Sequence, residues 1–103
     1  MLSQESQKMV VGVLRLELYL YGVHSLKEKR SVVKKILGRC RIRFPVSCAE
    51  TGHHDVWQSA EISFAVVERD EPRAHTLFTR IQEEIDHIGL SETSGSFSEF
   101  LHY

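Results

Sequence analysis

Polar and apolar positions alternate from Met9 to Tyr21: Leu14, Leu16, Leu18 and Leu20 point one way, Arg15, Glu17, Tyr19 and Tyr21 the other. A period of two predicts a long strand with one buried face. After Gly22 the period changes. From His24 to Phe44, at about 100° per residue, Leu26, Val33, Ile36, Leu37, Cys40 and Phe44 fall on one arc of an amphipathic helix. Ser25 is its expected N-cap, and Pro45 ends it by disfavouring helical geometry at the residue before.

Val46 to Thr51 reads as a short second strand, closed by a polar turn at Gly52-His53-His54-Asp55. Alternation returns from Trp57 to Arg69. There Ala60, Ile62, Phe64 and Val66 face one side, and Trp57, Ser59, Glu61, Ser63, Ala65 and Val67 the other. Asp70 caps a second helix, with Pro72 in its first turn and Gly89 as its C′ residue. Ala74, Leu77, Phe78, Ile81, Ile85 and Ile88 form its apolar stripe. A last strand is expected over Phe97–Tyr103. Gly12, inside the first strand, reads as a packing or bulge position.

The element order is therefore β-α-β-β-α-β. Right-handed crossovers through the two helices lead to a ferredoxin-like α+β sandwich. Its four-stranded antiparallel sheet should have the order 4-1-3-2 and carry both helices on one face. The other face stays uncovered by helices. RNA-recognition modules of this topology stack bases on aromatics of the third strand. Here that strand offers Glu61, Ser63 and Ala65, a carboxylate and two small groups, which excludes that mode. Tyr19, Ala49, Trp57, Ala65 and Val67 suit instead a patch covered by another copy of the chain, making a homo-oligomer.

Charge changes the picture of the first helix. The chain has 103 residues and a net charge of −1, but residues 1–44 hold ten Lys/Arg against three Asp/Glu, and residues 45–103 three against eleven. Lys27, Arg30, Lys34 and Arg41 form a stripe along one edge of the apolar arc, and Lys35, Arg39 and Arg43 line the far side. Lys29 falls near the buried arc, where its stem can lie on apolar surface and its head snorkel out. Such a surface either pairs with Glu83, Glu84 and Asp86 of the second helix or meets an anionic partner, RNA or a ribosomal particle, through phosphate contacts.

The remaining chemistry is sparse. Glu50, His53, His54, Asp55 and Glu61 cluster around the polar turn and raise the alternative of a small-ligand, metal or acid–base site. Adjacent histidines on a turn rarely aim at one atom, so a hydrogen-bonded hairpin is the simpler reading. No phosphate-binding loop, dinucleotide-binding glycine pattern or nucleophile elbow occurs, and no cofactor and no catalytic residue is assigned. Cys40 and Cys48 make no metal spacing and fit buried, reduced thiols of a cytoplasmic protein. No apolar run is long enough to span a membrane. Residues 1–8 read as a flexible extension before a single domain over 9–103.

Four blocks carry a resemblance: V-G-V-L-R-L-E-L at 11–18, S-L-K-E-K-R at 25–30, R-F-P-V-S-C-A-E at 43–50 and G-H-H-D-V-W-Q-S-A-E at 52–61. Together they resemble the YlxP-like family of small bacterial proteins, domain of unknown function number 503, over about residues 9–101. The turn Tyr21-Gly22-Val23-His24 replaces a more usual Pro-containing one. The resemblance implies a ferredoxin-like fold and a cytoplasmic protein, without an enzyme activity or assigned catalytic residues. It also implies frequent encoding beside translation factors and a ribosome-binding factor, which favours an RNA-linked role. Among the matching positions, Lys27, Arg30, His53 and Trp57 are the ones to test.

Overall fold

The structure, a computed structural model, describes residues 8–103. All but Lys8 of the extension expected at residues 1–8 therefore lies outside the described residues. The elements are β1 (Val10–Leu20), α1 (Leu26–Arg43), β2 (Ser47–Gly52), β3 (Ser59–Glu68), α2 (Glu71–Ile88) and β4 (Ser91–His102). The strands form one sheet in the order β2-β3-β1-β4, with every neighbouring pair antiparallel. This is the expected order read from the opposite edge, and the layout is ferredoxin-like.

The two most apolar strands sit at the centre because they have neighbours on both sides and lie under both helices. Leu14, Leu16, Leu18 and Leu20 of β1 are no more than 2% exposed. They join Ala60, Ile62, Phe64 and Val66 of β3, Val33, Ile36 and Cys40 of α1, and Ala74, Phe78, Ile81 and Ile85 of α2 in one cluster. Burying such side chains at about 1.5–3 kcal/mol each is the main stabilising term. Gly12 is a packing position: a Cβ there would lie 3.0 Å from Cζ of Phe78, whose ring stacks on Phe100 with centroids 6.0 Å apart.

The helix ends follow their sequence signals. The Ser25 hydroxyl accepts from the Glu28 amide at 3.1 Å, and the Glu28 carboxylate accepts from the His24 amide at 3.1 Å, a reciprocal cap. The Asp70 carboxylate accepts from the Arg73 amide at 2.9 Å. Gly89 takes the left-handed conformation, φ 76°, that lets a chain leave a helix without a Cβ clash. Phe44, ahead of Pro45, is extended.

Two strand starts differ from expectation by two residues or more. β4 begins at Ser91, six residues before the anticipated Phe97. Its first half, Ser91 to Ser96, has no apolar alternation, because an edge strand is specified here by pairing with β1 rather than by burial. β3 begins at Ser59, so Trp57 lies in the preceding loop.

Cys40 and Cys48 are free and buried. Burial, with lesser contributions from Cys48 and Glu84, pushes the Cys40 thiol from its ordinary 9.0 up to about 12 against the opposing pull of Arg39. Burial also raises Cys48, against Arg41. Because the folded value is the higher one, the stability held by the protonated thiol is complete below pH 9. It is lost progressively as pH rises from 9 toward 12, where only the unfolded thiol ionises readily. Stability should therefore fall by about 1 kcal/mol one pH unit above the unfolded value. Urea midpoints on either side of that pH should show this fall in the wild type and a shallower one in Cys40→Ala.

Candidate functional site

The exposed side of α1 divides into two groups of cations. Lys27, Arg30, Lys34 and Lys35 are exposed and make no ion pair among the described residues. Glu28, the one carboxylate on this helix, is occupied by the cap. Lys27, Arg30, Lys34 and Arg41 share one edge over about 21 Å of helix, at about 1.5 Å per residue. Arg41, an exposed residue, also donates to the Cys48 carbonyl of β2 at 2.7 Å, which uses one of its five N–H groups.

The other group is committed within the fold. Arg39 and Arg43 each donate to the Glu84 carboxylate of α2, at 3.0 and 3.1 Å. Glu84 is only 9% exposed and sits where the C-terminal halves of the helices meet. Arg80 lies over the Phe44 ring, 5.9 Å from its centroid. Arg39 and Arg43, expected at the phosphate surface, thus share one carboxylate from the acidic second half of the chain, which offsets one of their two charges. Glu83 and Asp86, also expected to pair with α1, form no ion pair among the described residues.

Lys29 departs furthest from expectation. Its head does not snorkel: the residue is 1% exposed. The ammonium donates to the carbonyl of His53 and to that of Val56 at 2.6 Å, and lies 3.0 Å from Glu50 Oε2. That carboxylate oxygen is sealed from solvent and receives no well-aligned hydrogen bond. Helix α1 therefore reaches under the β2–β3 turn and holds it by its main chain. The clue in the sequence is phase: Lys29 lies four, seven and eleven residues before Val33, Ile36 and Cys40, within the buried arc.

The turn so held does not gather ligands. His53, in the left-handed region at φ 60°, places Nδ1 3.0 Å from the Ser59 hydroxyl. His54 Nε2 lies 3.3 Å from the Glu50 carbonyl, and since a carbonyl only accepts, that nitrogen carries the proton. Glu61 accepts from the Thr51 hydroxyl at 3.0 Å and lies 3.5 Å from Arg15. No group of three or more His, Cys, Asp or Glu placed to hold a metal ion occurs among the described residues. The Trp57 ring rests beside His24 at the head of α1, with centroids 6.1 Å apart, rather than on the open sheet face.

The profile of the family described as "Protein of unknown function (DUF503)" matches residues 11–94. The chain belongs to the DUF503 family. It is 35% identical over 77 residues to the "Uncharacterized protein YlxP" of Bacillus subtilis (strain 168), a match covering 75% of this chain and 84% of that one. A de novo designed protein, Foldit4, is 18% identical, with a TM-score of 0.46 over 90% of this chain and 96% of its own. The DUF503 match takes in the whole of α1, the Lys29-bound turn and Glu84, and stops before Phe97.

On the open face, Tyr19, Ala49, Ala65 and Val67 lie as expected, but they do not form one patch. The register places Val67 beside Val11 and Leu101 at one end, and Tyr19 at the other. Between them lies a charged centre of Arg15, Glu17 and Glu61. No helix among the described residues is long and apolar enough to cross a membrane.

Proposed function

We propose that this DUF503 protein is a non-enzymatic cytoplasmic module that binds structured RNA, free or within a ribosomal particle, through the exposed side of α1. The supporting observation is the set Lys27, Arg30, Lys34 and Lys35, exposed and without an ion-pair partner among the described residues, continued by Arg41. Phosphate contacts need positive charge on a rigid face and little sequence precision. Here the face is a capped helix seated on the core. The acidic centre of the open sheet face, Glu17 beside Glu61, repels phosphate and directs the polyanion to the helical side.

The test is binding of a structured RNA and of a ribosomal fraction across a salt series. Each phosphate contact contributes about 0.7–0.9 to the slope of log affinity against log salt. Lys27→Ala/Arg30→Ala/Lys34→Ala should therefore lower that slope by about 2–3 and weaken binding at low salt by about tenfold or more. Equal slopes for variant and wild type would remove the proposal.

A further inference from the structure

We propose that the open sheet face is self-complementary and that two copies of the chain stack face to face across a two-fold axis lying over Leu16 and Ser96. The open face carries a charge imbalance. Glu17 and Glu61 are direct cross-strand partners, an unfavourable like-charge pair. Glu61 has Arg15 at 3.5 Å and the Thr51 hydroxyl at 3.0 Å. Glu17 has no cation partner among the described residues.

Arg15 and Glu17 are two residues apart on the same face of β1, with Leu16 between them pointing into the core. An axis in the interface plane, running across the strands above Leu16, sets β1 of the second copy antiparallel over β1 of the first. Each Arg15 then faces Glu17 of the second copy, giving two reciprocal ion pairs, and each unpaired carboxylate gains a cation. The same operation places Val13 against Tyr19 and Val11 against Tyr21 of the second copy, so the two apolar ends of the face meet each other.

Strand β4 fits the same axis independently. Ser96 is the register partner of Leu16, so the axis passes over it. On either side of Ser96 lie Phe97, 46% exposed with the Arg15 guanidinium 4.8 Å from its ring centroid, and Gly95, which has no side chain and carries the Glu17 carboxylate close over it, Oε2 lying 3.3 Å from where a Cβ would stand. Arg15, Glu17, Gly95, Ser96 and Phe97 line one surface pocket. The two-fold sets the Phe97 ring of each copy opposite Gly95 of the other, a position with no side chain of its own to clash with the ring. Glu92 against Glu99 of the second copy is a like-charge contact, but it lies at the rim, where water screens it.

The size is adequate. Strands about 4.8 Å apart, rising about 3.3 Å per residue, give this face a projected area of roughly 500 Å². Side-chain relief carries that toward the about 800 Å² per partner of a standard interface. Both helices lie on the opposite face, so the α1 cations stay outside the assembly, and this proposal stands or falls separately from the RNA-binding one.

Sedimentation of the full chain from low to high micromolar concentration should reveal a species of twice the chain mass. Arg15→Glu and Glu17→Arg each create two like-charge pairs across the axis, and each should weaken self-association by at least about tenfold. Glu17→Arg also removes the repulsion from Glu61 within the chain, so a monomer there is not a folding failure. Mixing the two single variants restores complementary pairs and should restore a dimer, as should the double variant Arg15→Glu/Glu17→Arg. A wild type monomeric throughout overturns the proposal. So does a dimer indifferent to Glu17→Arg, or single variants that dissociate and are rescued neither by mixing nor by the double exchange.

Discussion

Replacing Lys29 with alanine is expected to lower the stability of this protein by about 3–5 kcal/mol, the cost of breaking a buried ion pair from one side. The ammonium has two main-chain carbonyl acceptors, His53 and Val56, and lies 3.0 Å from Glu50 Oε2. Without it, a sealed carboxylate oxygen loses its countercharge and two carbonyls of the turn lose their donor. The chain's single tryptophan, Trp57, lies in that turn and reports on it directly. Lys29→Ala should shift the urea midpoint and move Trp57 emission to the red before the global transition. Lys29→Met keeps most of the volume and should recover only the packing share of the loss. Glu50→Gln should cost less than either, because its amide oxygen can still accept from the ammonium. A Lys29→Ala midpoint corresponding to a loss under about 1 kcal/mol would mean that the turn holds itself, through His53 with Ser59 and His54 with the Glu50 carbonyl.

Lys29 also marks where sequence reading stops. Periodicity located both helices and the central strands, because each depends on which side of an element is apolar, and the sheet order followed from the element order and right-handed crossovers. Leu16, Ile62, Ile36 and Ile81, one from each of four elements, are all 0% exposed, as their phase required. Both caps were readable because Ser25 and Asp70 act on amides three residues away. The start of β4 was not readable: Ser91 to Ser96 is held by hydrogen bonds to β1, and those bonds leave no mark on side-chain composition. The site was legible only as far as charge is a local property. The positions of Lys27, Arg30 and Lys34 on an outward edge follow from helical phase alone. Which cations are cancelled depends on contacts across 41 or 45 residues of chain, from Arg43 and Arg39 to Glu84, and these no local pattern encodes. Similarly, Lys29 was visible as a cation in the buried arc, but its acceptors belong to a loop more than 20 residues away.

The balance between those two groups of cations gives the second large effect. Glu84→Ala is expected to reduce stability while strengthening polyanion binding, two changes of opposite sign from one substitution. The carboxylate is 9% exposed and accepts from both Arg39 and Arg43. Charge-assisted bonds of this kind contribute about 1.5–3 kcal/mol each. The arginine side chains are 45% and 56% exposed, so solvent screens the pairs and rehydrates the heads once released. A net loss of about 2 kcal/mol follows, well below the sum of two unscreened bonds. Losing the one carboxylate frees both guanidinium groups and raises the net charge of the α1 surface by one, beyond that of Lys27, Arg30, Lys34 and Lys35. The salt slope should steepen by about 0.7–0.9, one further phosphate contact, and affinity at low salt should rise by several-fold. Glu84→Gln separates charge from packing: it keeps the shape and one acceptor, loses less stability, and should still release enough positive potential to raise binding. A destabilised Glu84→Ala whose affinity and slope match the wild type would show that RNA does not approach the Arg39–Arg43 side of the helix. The contact surface would then be confined to the edge formed by Lys27, Arg30, Lys34 and Arg41.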